Sequence, residues 1–279
     1  MTRDSAMRVA LLASMIMLAT MANATYLQIV GPVSANLTGG RTIALGKVGP
    51  GESFYVLGSA QTTNASGKLI NIGWDELTAV SLPQGWSAQQ SPLYENPMKM
   101  KITVDPLAQS GTYHMVLRAV NVGNYSRLGN LTFNAYVNVS LNVFDLNVSP
   151  RNIQAGPGQP VDIKVEINNT GISDDPFVIR GLGLPAWNKS IQVISLHGED
   201  NRFVYPVYIN EPGFYRFNIT VNSSSSSLIS KSYAMGLTVN ESLLNDYSAI
   251  GQGIILSPIV YEPAYAVMSL VSYLYSLIR

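Results

Sequence analysis

His114 and His197 are the only imidazoles available for acid–base or metal chemistry, and neither has a second histidine or a carboxylate at ligand spacing. His114 falls on the outward face of an alternating run beside Arg118, and His197-Gly198-Glu199-Asp200 reads as a polar turn ahead of Arg202. Asp75-Glu76 and Asp174-Asp175 are the carboxylate pairs that could touch a hard cation. Calcium takes roughly six to eight oxygens, however, and no Asp-x-Asp-x-Asp loop occurs. The absence of cysteine excludes disulfides, thiolate metal sites and cysteine nucleophiles. No Gly-x-Ser-x-Gly elbow or phosphate-binding loop is present either. The expectation is a chain that is not an enzyme and has no catalytic residue, cofactor or metal.

Two other residue types could act by contact. Trp74, Trp86 and Trp187 offer flat apolar rings of the kind that stack on pyranose faces. Trp86 and Trp187 recur at equivalent places of an internal repeat, as core-packing or loop-anchoring residues do, so burial is the favoured reading. Trp74 and Trp86 remain candidate glycan-stacking residues, and their exposure decides between the two. Acceptor sequons Asn-x-Ser/Thr occur at Asn36, Asn64, Asn124, Asn130, Asn138, Asn147, Asn168, Asn188, Asn218, Asn222 and Asn240, besides Asn23. Chance would give roughly three or four in such a chain. The density points to N-glycans, with composition alone as the competing explanation, since strands rich in Asn, Ser and Thr generate sequons. Charged residues make up only 12% and the formal net charge is zero. Without a basic patch, nucleic acid is excluded as a partner.

The elements that carry these residues are strands. Val161, Ile163, Val165 and Ile167 alternate with Asp162, Lys164, Glu166 and Asn168, one face apolar and the other polar. Met98, Met100, Ile102 and Val104 form a matching row, as do Phe203, Tyr205, Val207 and Ile209. Leu131 to Val143 reads as one long strand with Asn138 facing outward. Tyr215, Phe217, Ile219 and Val221 point inward and leave Asn218 outside. Between Thr25 and Asn240 there is no sustained helical period, and breaks fall at Gly, Pro, Asn and Ser clusters. Ser223 to Ser227 reads as a flexible hairpin loop open to O-glycosylation.

The strands come in two sets. Gly49-Pro50-Gly51-Glu52, Leu82-Pro83-Gln84-Gly85-Trp86 and Ser110-Gly111-Thr112-Tyr113 are matched by Gly156-Pro157-Gly158-Gln159, Leu184-Pro185-Ala186-Trp187 and Pro212-Gly213-Phe214-Tyr215. A repeat of about 100 residues with strand patterning is the size of a whole sandwich domain. This predicts an all-β chain of two tandem antiparallel β-sandwiches, residues 25–146 and 147–240, joined at Val148-Ser149-Pro150.

Gly111-Thr112-Tyr113-His114-Met115 and Gly213-Phe214-Tyr215-Arg216-Phe217 resemble the tyrosine corner of immunoglobulin-like sandwiches, with Met115 and Phe217 where antibody domains have cysteine. With the Gly-Pro-Gly-Glu/Gln turns, Asn168 to Gly171 and the Leu-Pro-x-x-Trp elements, each copy resembles the alpha-galactosidase-associated and cell-adhesion-related immunoglobulin-like modules of archaeal and bacterial envelope proteins. The resemblance implies accessory surface domains without catalytic residues. The second copy departs from it by shortening the Leu-Pro-Gln-Gly-Trp loop.

Both termini differ from the sandwiches. Arg3 and Arg8 precede an apolar run, Val9 to Thr20, and Ala22-Asn23-Ala24 suits a signal peptidase, so residues 1–24 read as a signal peptide, with an uncleaved anchor as the alternative. Residues 241–279 form a hydrophobic C-terminal segment. From Ala249 to Ile278 its one charge is Glu262, and Ala264 to Ile278 is helix-compatible, with Tyr265, Ser269, Ser272 and Ser276 as a mildly polar stripe. That helix either associates with a membrane, its Ser269, Ser272 and Ser276 stripe suited to self-association, or docks on protein. The functional expectation is an exported, N-glycosylated protein of an archaeal envelope. It would be extracellular and membrane-anchored through its C-terminal segment, with a structural, adhesive or spacer ectodomain meeting other envelope proteins or surface glycans. The alternative is a carbohydrate-binding or accessory subunit of a cell-surface complex. Cleavage after Ala24 predicts that N-terminal sequencing of native protein returns Thr25, and a sequence starting at Met1 contradicts it.

Overall fold

The computed structural model describes residues 26–59, 62–63, 69–70, 73–123 and 129–240. The signal peptide, Asn64, Asn124 and the C-terminal segment lie outside these residues. The chain divides into two units at the bond between Val139 and Ser140. All regular structure among the described residues is β.

The first unit contains β1 (Leu27–Gly31), β2 (Ala35–Leu37), β3 (Thr42–Val48), β4 (Ser53–Gly58), β5 (Thr62–Thr63), β6 (Leu69–Ile70), β7 (Glu76–Ser81), β8 (Ser87–Gln89), β9 (Met98–Thr103), β10 (Gly111–Val120) and β11 (Leu131–Val139). One sheet runs β2-β1-β4-β9-β8 and the other β3-β11-β10-β7, with β5 and β6 as a separate pair. The second unit contains β12 (Phe144–Ser149), β13 (Asn152–Ala155), β14 (Val161–Asn169), β15 (Asp175–Leu182), β16 (Ile191–Ser195), β17 (Asp200–Val207), β18 (Gly213–Ser223) and β19 (Ser230–Val239). Its sheets run β12-β14-β17 and β13-β19-β18-β15-β16. In each unit one strand, β3 or β13, pairs in parallel with the last strand, while the other ladders are antiparallel. An early strand, the second long strand and the third-from-last share one sheet, and the last two strands share the other. That is the topology of an immunoglobulin-like sandwich, present here in tandem.

Alternation makes these strands because each strand has one face in the core. Ile163, Val165 and Ile167 are fully buried on β14, and Met98, Met100 and Ile102 on β9. Tyr205 reaches across the second sandwich from β17, its hydroxyl accepting the N–H of Gly181 on the opposite sheet at 3.0 Å. Phe144 on β12 and Phe177 on β15 meet between the sheets with ring centroids 4.8 Å apart.

The domain joint differs from the sequence expectation. The run that begins at Leu131 stops as a strand at Val139, because both its partners end there: Val139 is opposite Gly111 on β10 and Val48 on β3. Beyond it Leu141 is exposed, and Val143 is buried in the core of the second unit. The joint therefore lies at Ser140 to Asn142, and Val148-Ser149 belongs inside the second sandwich. Pro150, with no N–H to give a ladder, falls where the chain leaves β12 in one sheet for β13 in the other. The serine run also differs, being tied down rather than flexible. Ser223 Oγ accepts the N–H groups of Ser225 and Ser226 at 3.0 and 3.2 Å, and Ser225 Oγ donates to Asp175 at 2.6 Å.

Met115 and Phe217 are both buried, and Arg216 beside Phe217 is exposed. Phe217→Ala is expected to cost about 3–5 kcal/mol in chemical denaturation. Arg216→Ala should cost about 0.5 kcal/mol or less. Equal costs would contradict the register of β18.

Candidate functional site

The repeated motifs resolve into one framework used twice. At Gly49-Pro50-Gly51-Glu52 and Gly156-Pro157-Gly158-Gln159 the fourth residue donates its N–H to the first carbonyl, at 3.3 and 3.1 Å. Proline at the second position and positive φ at the third, 78° for Gly51 and 73° for Gly158, make both turns type II, for which glycine is the fitting residue. The side chain then closes the turn: Gly49 N–H donates to Glu52 Oε2 at 2.7 Å, and Gly156 N–H to Gln159 Oε1 at 3.0 Å. The tyrosine corners are equally paired. Tyr113 Oη donates to the carbonyl of Gln109 at 3.0 Å, and Tyr215 Oη to that of Glu211 at 3.0 Å.

The tryptophans divide differently from the sequence expectation. Trp74 is 3% and Trp86 8% exposed, so neither presents a ring face for glycan stacking, and both are withdrawn as candidates. Trp74 donates Nε1–H to the carbonyl of Gly129 at 3.1 Å, and Trp86 lies against Tyr113 with centroids 5.4 Å apart, covering the first tyrosine corner. Trp187 lacks that role. Its shortened loop leaves it 52% exposed, held by a 2.8 Å bond from Nε1–H to the carbonyl of Tyr208.

The carboxylate pairs tie loops. Asp75 accepts the N–H of Gly123 at 3.2 Å. Asp174 accepts the backbone N–H of His197 at 2.9 Å and lies 2.6 Å from its Nδ1, a partnership between residues 23 apart that spacing rules did not reveal. His114 is exposed, with Nε2 3.0 Å from Asn134 Oδ1 and its ring beside Tyr136. Among the described residues no group of three or more His, Cys, Asp or Glu could hold a metal ion.

What remains as a candidate site is the polar outer surface with its sequons. Asn36, Asn130, Asn138, Asn147, Asn168, Asn218 and Asn240 are exposed and Asn222 is half-buried. Asn138 is opposite Thr112 on the outer face of β11, and Asn218 is opposite Leu182 and Ala234 on that of β18. On the outer face of β12-β14-β17, Asp145, Asn168 and Asp200 form one cross-strand row and Asn147, Glu166 and Arg202 the next. Glu166 there accepts Asn147 Nδ2 at 2.9 Å and pairs with Arg202 Nε at 3.0 Å. Asn188 is the exception. Its Nδ2 donates to the carbonyls of Tyr208 at 3.0 Å and Pro185 at 3.3 Å, while its Oδ1 accepts the N–H of Tyr208 at 2.7 Å. A sugar on Nδ2 would replace one of those two hydrogens, so this sequon serves as a loop clamp.

No known protein family matches the chain, and no curated protein does. Among solved structures it is similar to a chimeric titin Z1Z2 at 15% identity over 78% of this chain and 99% of that one, with a TM-score of 0.33. Similar too are the fibronectin(III)-like modules of CbhA from Clostridium thermocellum, at 11% identity over 77% and 94% with a TM-score of 0.25. The adhesin InvE of Yersinia pseudotuberculosis follows at 12% identity over 78% and 61%, TM-score 0.28. Superpositions this loose add nothing to what the strand order already shows.

Because Asn188 makes three bonds, Asn188→Ala is expected to destabilise the second unit by about 1–3 kcal/mol. Asn168→Ala, on an exposed strand face, should cost about 0.5 kcal/mol or less. Thermal denaturation of the two variants side by side checks the difference.

Proposed function

We propose that this is an exported, N-glycosylated protein of the cell envelope whose tandem sandwiches form a structural, adhesive or spacer ectodomain, held at the extracellular surface by the C-terminal apolar segment. The observation that carries the reading is the placement of the sequons. Asn138 and Asn218 occupy outward positions of strands whose alternate residues, Val137 and Val139 or Phe217 and Ile219, fill the cores. A bulky glycan on these asparagines would reach solvent without disturbing the apolar contact between the sheets. The action proposed is display and contact rather than turnover, and Asp75, Asp174 and Asp175 are each used in tying loops together.

The partners proposed are the membrane, other envelope proteins or surface glycans, and a second copy through Ser269, Ser272 and Ser276. Carbohydrate binding through Trp74 and Trp86 loses its basis with their burial. The attachment proposed is through the apolar run from Ala249 to Ile278, which lies outside the described residues; among the described residues no helix is long and apolar enough to cross a membrane.

Fractionation of native cells tests this reading. The protein is expected in the membrane fraction, resistant to a high-salt wash, with an intact mass above that of the bare polypeptide. Truncation at Pro263 should release it. Release of the untruncated chain by salt alone contradicts the anchor, and a bare-chain mass contradicts glycosylation.

A further inference from the structure

The chain leaves the second sandwich at one end, and that end holds the exposed aromatic rings of the unit. Val239, the last residue of β19, is opposite both Gly213 at the start of β18 and Ala155 at the end of β13, and Asn240 N–H donates to the Ala155 carbonyl at 3.0 Å. Phe214 follows Gly213 and is 60% exposed. The turn after Ala155 brings Gly158 N–H to the carbonyl of Ile209 at 2.8 Å. Next to Ile209 is Tyr208, 43% exposed, whose carbonyl holds the Trp187 ring. Hydrogen bonds and strand pairs therefore connect Asn240, Phe214, Tyr208 and Trp187 around a single rim. The remaining described aromatic rings of this unit are buried or half-buried.

The opposite end has a different character. It presents Asp174, Glu199, Asp200, Ser224 and Ser227, and its exposed apolar side chains are the aliphatic Leu141, Ile194, Leu196 and Leu228. The rim near Asn240 carries Lys189 and Arg216 with Asp162 and Glu211, and the Arg216 guanidinium lies 5.4 Å from the Phe214 ring.

Only residues 241–248 separate this rim from the apolar run that begins at Ala249. Eight residues span at most about 26–29 Å when fully extended. A tail inserted in lipid would thus keep this end of the sandwich within about one such length of the bilayer. Tryptophan and tyrosine favour the level of the headgroups, where an amphipathic ring meets apolar chains on one side and water on the other.

We propose that this rim is a membrane-resting face, with Trp187, Tyr208 and Phe214 seated in the headgroup zone of the bilayer that the C-terminal segment enters. The proposal rests on the C-terminal anchor of the preceding section and adds a second contact with the same surface. The second sandwich then stands on its aromatic end and points its acidic end away from the bilayer.

The position of Trp187 makes the proposal measurable. The other two tryptophans, Trp74 and Trp86, are buried in the first unit, so contact quenching by lipid should act on Trp187 alone. The full chain is reconstituted in phosphatidylcholine vesicles with either ordinary or brominated acyl chains, and its flotation and tryptophan emission are recorded. The expected result is flotation with both lipids and a loss of emission in the brominated vesicles that disappears in Trp187→Phe. A chain that floats with equal emission in both lipids overturns the membrane-resting face and leaves the anchor standing. Shielding of Trp187 from iodide without quenching by bromine would put protein over the rim and overturns the proposal as well. A chain that fails to float overturns the anchor and this face together.

Discussion

Each sandwich is closed by apolar contact between its two sheets and by nothing covalent, and the other features of the molecule follow from that constraint. With no cysteine in the chain, the core position two residues after each corner tyrosine is filled by Met115 or Phe217. Burying such a side chain contributes about 1.5–3 kcal/mol. The rows on β4, β9, β10 and β11, and on β14, β15, β17, β18 and β19, repeat that contribution many times. Loop ends are then fixed by polar side chains whose chemistry is spent locally. Glu52 and Gln159 close turns, Asp174 clasps the turn at His197, Asp175 holds Ser225, and Asn188 brackets Tyr208. Little polar chemistry is left for the interior, and what the molecule offers to partners lies on its surface.

The two copies separate what the fold needs from what it can vary. The type II turn and the tyrosine corner recur with nearly equal geometry, even though a carboxylate does in the first turn what an amide does in the second. The Leu-Pro-x-x-Trp loops diverge: Trp86 is packed over Tyr113, whereas Trp187 stands half out of the surface on the other copy. Loops on a rigid scaffold are where binding residues concentrate. That divergence is what singles out the Asn240 end of the second sandwich.

Strand faces were legible in the sequence because alternation reports directly which side chains are inward. Val161 to Ile167, Met98 to Val104, Phe203 to Ile209 and Tyr215 to Val221 have their inward rows as expected, with Val161, Phe203 and Tyr215 only partly covered. Thr220, expected outside, is instead buried, with its hydroxyl donating to the Arg180 carbonyl at 3.2 Å. Alternation does not report which strand is next door, so the parallel pairing of β3 with β11 and of β13 with β19 could not be read. The joint was hidden for a related reason. Val143 continues the parity of β11 while packing in a different core, and only the ends of the neighbouring ladders mark Val139 as the limit. Among surface residues, Asn188 matches every other sequon in sequence, and its partner Tyr208 lies 20 residues away. Repetition at equivalent positions also misled at Trp187, where one residue fewer in the loop changes what the ring can reach.

The function proposed for the polar strand faces is to carry glycan, with the cores and clamps left bare. Site-resolved glycopeptide mass spectrometry of the protein isolated from native cells measures this directly. Sugar is expected on Asn138 and Asn218 with Asn188 unmodified; bare Asn138 and Asn218, or a fully occupied Asn188, would overturn that function.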